Sequence, residues 1–310
     1  ESKAIEELRV KLNEATELSL VSDVSVGAFL SGGIDSTAVV GLMNNYAKNK
    51  IKTYSIGFEN FLSEIDERKF AKTAADYFKT EHYDEVFDVN QSEQIFDKII
   101  KDIDQPSIDG TNTWIVSRLA SKKSKVVLSG IGGDELFGGY PHFFTFSKIK
   151  LNIFKIFKFV KPFIEKIHCL RPNFITNYII YNLSNDSEKL NLLRILYTEK
   201  ETNKFLKNKF NSILNNKIKF FDKKLDRMQK LSSFEINGYL KNTLLRDSDI
   251  MSMSHSLELR PIILDHPLVE YVFSLPEKLK LKTNFPKKLF VDSVSELIPR
   301  SLRKRKKLVF

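Results

Sequence analysis

Ser31-Gly32-Gly33-Ile34-Asp35-Ser36-Thr37 lies between two apolar runs, Val24 to Leu30 before it and Ala38 to Met43 after it. That pattern predicts a β-strand, a tight glycine turn and a helix opening on Ser36 or Thr37. The two glycines let the backbone turn where a Cβ would clash and bring N–H groups close to a ligand. A helix N-terminus beyond the turn adds N–H donors and a partial positive charge, so the stretch predicts an anion site of pyrophosphate size. No Gly-Lys-Ser/Thr closes the loop, which excludes a Walker A motif, and the Gly-x-Gly-x-x-Gly spacing is absent. Alone, the same residues also read as a serine-glycine turn capping an ordinary helix.

Working outward, Ala4 to Leu20 carries apolar residues at helical spacing (Ile5, Leu8, Leu12, Ala15, Leu18) and predicts an amphipathic helix. Strands are expected at Thr53 to Phe58, His82 to Phe87 and Lys125 to Ser129. Helices are expected at Asp66 to Phe78, Ser92 to Asp104 and about Asn112 to Ser121. Strands alternating with helices imply an α/β fold with a parallel, doubly wound sheet, whose ligands sit beyond the carboxyl ends of the strands.

A second glycine cluster follows the strand at Lys125 to Ser129. It runs Ser129-Gly130-Ile131-Gly132-Gly133-Asp134-Glu135-Leu136-Phe137-Gly138-Gly139-Tyr140. Paired with the first cluster, it brings Asp35 and Asp134 to the same end of the sheet. There the two carboxylates could clamp one Mg²⁺ over a triphosphate. Read by itself, it is a flexible loop with a solvated acidic pair.

A third block, Tyr239 to Val269, sets Arg246, Asp247, Asp249, Glu258, Arg260 and Asp265 among leucines and methionines. Those residues read as structural ion pairs fixing helix packing. His255 and His266 lack metal-ligand spacing to any partner and read as structural. Ile149 to Ile167 is apolar enough for a membrane-surface helix, but its lysines favour a buried helix of the same domain.

Composition bounds the rest. The 310 residues, 42% hydrophobic and 28% charged, suffice for one large or two ordinary domains. A single cysteine, Cys169, excludes an intramolecular disulfide and a cysteine zinc site, and fits a reducing, cytoplasmic setting. No apolar run is long enough to cross a bilayer. Residues 1–145 hold 16 Lys and Arg against 23 Asp and Glu, and the remainder 33 against 16. The basic half admits a nucleic-acid partner, although lysine scattered among Asn, Ile and Phe fits a solvated surface better.

Together the three blocks, in this order, resemble the synthetase domain of the glutamine-hydrolysing asparagine synthetase family, whose ATP-binding turn is the PP-loop. Ser31 to Thr37 alone is shared by several PP-loop families. The Asp134 to Tyr140 run, with Ser256-Leu257-Glu258-Leu259-Arg260 and Leu264-Asp265-His266, is specific to this one. The resemblance implies a PP-loop core at 23–145, a linker helix at 1–22 and a largely helical remainder at 146–310. Its glutaminase domain, with an N-terminal cysteine nucleophile, is expected to be absent. Nitrogen would then come as ammonia, free or from a separate or removed glutaminase.

By this resemblance the enzyme is a ligase that adenylates the side-chain carboxylate of aspartate, releases pyrophosphate and lets ammonia attack the acyl-adenylate. Ser31, Gly32, Gly33, Asp35 and Ser36 would hold the pyrophosphate and Mg²⁺. Phe29, Leu30 and Ile56 would line the adenine pocket, Ser129 and Gly130 would contact the ATP, and Asp134 would be the second metal ligand. The family's catalytic lysine, counted back from Pro299, falls on Lys287, with Lys288 the alternative. Three departures stand out. Ile131 occupies a position where the family has an acid, the proline of the Arg260 to His266 stretch is shifted, and Val291 replaces an expected arginine. These leave open another carboxylate acceptor (a peptide, a ring-forming precursor or a surface-sugar acid) and a non-catalytic remnant. The basic half leaves open a tRNA-modifying enzyme. Oligomeric state is open as well, a homodimer among the options.

Overall fold

The computed structural model describes residues 1–58, 66–87, 92–105, 107, 109–148, 163–164, 166, 225–282 and 285–303. Most of the expected helix at 149–167, and Cys169, lie outside the described residues. The chain forms two compact units, Glu1–Gly139 with Glu235–Phe310, and Tyr140–Phe234.

The first unit opens with α1 (Ser2–Ser19), β1 (Val26–Phe29), α2 (Ile34–Asn44), β2 (Lys52–Phe58), α3 (Arg68–Phe78) and β3 (Glu81–Phe87). It continues through α4 (Ser92–Asp102), α5 (Thr111–Ala120), β4 (Val126–Ser129) and the short α6 (Gly133–Phe137). In the second unit the described elements are α7 (Pro141–Lys148) and α8 (Arg227–Glu235), the last residue of which belongs to the first unit. The chain resumes in the first unit with a π-helix (Ile236–Leu244), α9 (Leu245–Met253) and β5 (Glu258–Pro261). A 3₁₀ turn (Ile262–Leu264) then leads to α10 (His266–Ser274), α11 (Glu277–Lys280), α12 (Lys288–Ser293) and α13 (Arg300–Arg303).

The five strands form one parallel sheet in the order β3-β2-β1-β4-β5. This is the doubly wound α/β arrangement expected. Alternating side chains divide the apolar residues between its faces. Ala28 and Leu128 turn toward α1, α2, α3, α10 and α12, where Leu8, Leu12, Val39, Leu42 and Phe290 complete the larger core. Tyr54 and Val127 turn the other way, onto Val116 and Ala120 of α5 and Leu257. All four residues of β4 are buried, as in a strand covered on both faces.

β5 was not anticipated by the sequence pattern. Glu258-Leu259-Arg260-Pro261 is short and half charged, and it ends in a proline that has no N–H to give. Those traits suit an edge strand, which is where it lies. Strands β1 to β3 step one way across the sheet and β4 and β5 the other. The order therefore reverses between β1 and β4, and a crevice opens beyond their carboxyl ends. Among the described residues no helix is long and apolar enough to cross a membrane.

Candidate active site

Both glycine clusters emerge at that reversal. After β1 the chain turns through Gly32 at a φ of 74°, and Gly33 becomes the N-cap of α2 without a capping side chain. The helix begins at Ile34, earlier than its apolar run suggested, because the loop's own hydroxyls close the turn. Ser36 Oγ donates to the Gly33 carbonyl at 3.2 Å and lies 3.1 Å from Ser31 Oγ. The Ser31 N–H donates to Ser36 Oγ at 3.2 Å, and the Gly33 N–H donates to Ser31 Oγ at 3.3 Å. The first N–H to enter the helical ladder is that of Thr37. The preceding turn lies at the positive end of the helix dipole, a setting suited to phosphate.

The second cluster packs against the first. A Cβ on Gly133 would lie 2.9 Å from Asp35 Cγ, so only glycine lets the two loops come this close. Asp35 and Asp134 each stand in the first turn of a helix, α2 and α6 respectively. Between them lies the ammonium of Lys287. It bonds to Asp35 and lies 2.6 Å from Asp134 Oδ1. The three side chains retain only 9%, 21% and 14% exposure for Lys287, Asp35 and Asp134. Burial by itself would lower the lysine's pKa. The Asp35 charge, and then that of Asp134, reverses this and holds it above the ordinary lysine range.

Lys287 reaches this position from a left-handed backbone (φ 55°, ψ 31°) as the N-cap of α12. A non-glycine residue there carries strain of about 1–3 kcal/mol, tolerated where the surroundings over-determine it. Gly139 supplies part of that constraint. A Cβ on it would fall 1.7 Å from Asp134 Oδ1 and 2.4 Å from Lys287 Cε. Sequence reasoning did not single out Gly139, although its place at the end of the second glycine run was a signal. Lys288 points elsewhere, bonding to Asp292 and reaching Glu1 at 3.3 Å.

The other expected site residues separate by strand periodicity. Phe29 and Ile56 are half-buried and pack in the same cluster with Tyr54, Tyr83 and Val116 on the α5 face. The Leu30 side chain is buried in the opposite core, and its N–H donates to the Tyr54 carbonyl at 2.8 Å. Only the Leu30 main chain is left to meet a ligand. Ser129 is buried and accepts the Ile131 N–H at 3.3 Å, and a Cβ on Gly130 would lie 2.8 Å from Asp35 Cβ. Ile131 is half-buried between them.

In the third block, Arg246 pairs with Asp104, and Arg260 with Glu258 at 2.6 Å. Asp247 is buried and accepts from the Ser107 hydroxyl, and Asp265 caps α10 by accepting from the Leu268 N–H at 3.4 Å. His255 lies edge-on to Trp114, with 4.6 Å between ring centroids, and burial lowers its pKa. His266 is exposed beside Glu270.

Among the described residues no group of three or more His, Cys, Asp or Glu side chains could hold a metal. Two carboxylates are nonetheless the number Mg²⁺ commonly takes from protein when substrate phosphates complete its shell. A cationic group, the ammonium, already fits between Asp35 and Asp134. Their chemistry therefore suits a divalent ion held together with a phosphate ligand.

A parallel sheet with two glycine turns meeting at its reversal defines an α/β protein built to hold a phosphate-bearing ligand. The asparagine synthase family model matches residues 7–310, and the chain belongs to that family. Asparagine synthetase [glutamine-hydrolyzing] 1 of Bacillus subtilis is 29% identical over all of this chain and half of its own length. A putative glutamine-hydrolysing asparagine synthetase of Methanocaldococcus jannaschii is 46% identical over 44% of this chain and 27% of its own length. A maize asparagine synthetase is 29% identical over 55% of the chain and 30% of its own length. The chain thus spans half or less of the length of these relatives.

Proposed function

We propose that this chain is the synthetase portion of an asparagine synthetase. It would adenylate the side-chain carboxylate of L-aspartate with ATP and then pass the acyl group to ammonia. The observation that carries this reading is the Lys287 ammonium set between Asp35 and Asp134 where the two glycine turns meet.

In this reading the aspartate carboxylate oxygen attacks the α-phosphorus, the bond to the β-phosphate bridging oxygen breaks, and pyrophosphate leaves. The positive end of α2 and its first-turn N–H groups, with the backbone of Gly32 and Gly33 and the Ser31 and Ser36 hydroxyls, bind that pyrophosphate. Phe29 and Ile56 take the adenine ring, and Ser129 and Gly130 contact the nucleotide. Asp35 and Asp134 would hold Mg²⁺, which when bound neutralises charge on the departing pyrophosphate. Lys287 steadies charge on the α-phosphate and acyl oxygens, an effect worth about 3–4 kcal/mol for one well-placed donor. Ammonia then attacks the acyl carbon, AMP leaves, and the new amide loses a proton. The names of the relatives suggest glutamine as the source of that ammonia, through a glutaminase portion.

The test is pyrophosphate release from MgATP and L-aspartate, with and without ammonium. Release that needs aspartate, with asparagine formed once ammonium is present, supports the reading. ATP binding without release points instead to a different carboxylate. Ile131 favours that second reading, because its apolar side chain cannot take up a proton where the family pattern has an acid.

A further inference from the structure

We propose that Lys287 is a resident counter-cation that a divalent metal must displace, so that the metal enters this site with the nucleotide and not ahead of it. The proposal rests on the reading of Asp35 and Asp134 as the metal ligands.

The ammonium contacts both carboxylates at once, the same two groups that the metal would use. A divalent ion arriving alone would meet a positive charge in a poorly solvated cluster, where charges are weakly screened. Lys287 is held more closely than a surface lysine, with only 9% of its side chain exposed. Its left-handed backbone and the close approach of Gly139 aim the ammonium at Asp35 and Asp134. To admit the metal, it has to give up at least one carboxylate, and it then needs another anion. A triphosphate arriving with the metal supplies that anion. The same event that loads the site therefore turns the lysine from the protein's carboxylates to the nucleotide's phosphates, where the proposed reaction needs it.

Mn²⁺ binding to the full chain tests this, followed by the electron paramagnetic resonance of free Mn²⁺ and by melting temperature. Without nucleotide, Lys287→Met should bind Mn²⁺ at least about tenfold more tightly than the wild type, since one buried repulsion is gone. Mn²⁺ should also raise the melting temperature of the variant more than that of the wild type. Lys287→Gln keeps a polar but uncharged side chain and should move the same way if the Met variant folds poorly. With α,β-methylene-ATP present, the wild type should hold Mn²⁺ and Asp134→Asn should lose it. If both lysine variants bind bare Mn²⁺ no more tightly than the wild type while that loss is seen, the counter-cation idea is overturned and the metal ligands stand. If Asp134→Asn holds nucleotide and Mn²⁺ as the wild type does, the metal-ligand reading fails and takes the proposal with it.

Discussion

The two glycine loops that meet at the β1–β4 crevice keep their shapes by different means. The Ser31 to Ser36 turn is closed by its own hydroxyls and N–H groups, all within six residues of sequence. In the loop after β4 the local bonds run through Ser129 Oγ and the Asp134 carbonyl, and the Asp134 carboxylate meets a distant side chain. That carboxylate is positioned by Lys287, more than 150 residues later, and walled by Gly139. The first loop is a local structure closed by bonds within its own motif. The second becomes a site only when distant parts of the chain have assembled around it. Damage to the second should therefore fall on chemistry, and damage to the first on nucleotide affinity.

The largest effect should come from Lys287→Ala. Pyrophosphate release is expected to fall by about a hundredfold to a thousandfold, with ATP binding changed far less. An equal loss in both would mean that the lysine serves binding and that the two loops do not differ as described. Gly139→Ala should come next, because its Cβ has no room beside Asp134 and Lys287. We expect turnover to drop at least about tenfold with the melting temperature lowered by a few degrees, since a forced overlap in a packed site costs about 1–3 kcal/mol. Ser36→Ala removes the hydroxyl that ties the first loop together. It should weaken ATP binding by about fivefold, in line with about 1 kcal/mol for a hydrogen bond, and change the rate at saturation less. Titration calorimetry set against saturating kinetics separates these outcomes. Lys288→Ala should leave turnover within about twofold, because Lys288 pairs with Asp292 and Glu1 and touches neither Asp35 nor Asp134.

A smaller effect concerns stability away from the loops. His82 lies with Nδ1 2.9 Å from Thr53 Oγ1 and Nε2 3.2 Å from Ser55 Oγ, and burial lowers its pKa. The unfolded chain then takes up the proton more readily than the folded one. The stabilising contribution is complete above the unfolded value of about 6.5 and is lost as pH falls below it. Between pH 7 and pH 5 the wild type should lose a few degrees more in melting temperature than His82→Asn. Equal losses would assign the acid sensitivity elsewhere.

Much of this was legible in the sequence where the interactions are local. Ser31 to Ser36 announces itself because its bonds close within the motif, and strands β1, β2 and β4 because their apolar side chains keep the strand pattern. β5 escaped notice because an edge strand needs only one apolar partner face, and Glu258 and Arg260 hide its period. The Lys287 position came from family likeness alone. In sequence it is one lysine of a basic stretch, and its burial depends on a left-handed backbone that no local pattern announces. Leu30 shows the converse. Its place at the strand end suggested a ligand contact, but strict alternation along β1 sends its side chain into the other core.

The order of the sheet also bears on how the chain is made. β4 is buried along its whole length, yet its outer neighbour β5 lies more than 120 residues further on, after the entire Tyr140–Phe234 unit. During synthesis β4 is therefore an apolar edge with open N–H and C=O groups, the kind of surface that pairs with stray strands. Closing it requires contacts of long sequence separation, which form slowly. The same late segment brings Lys287, so the event that caps the sheet is also the one that brings positive charge to Asp35 and Asp134.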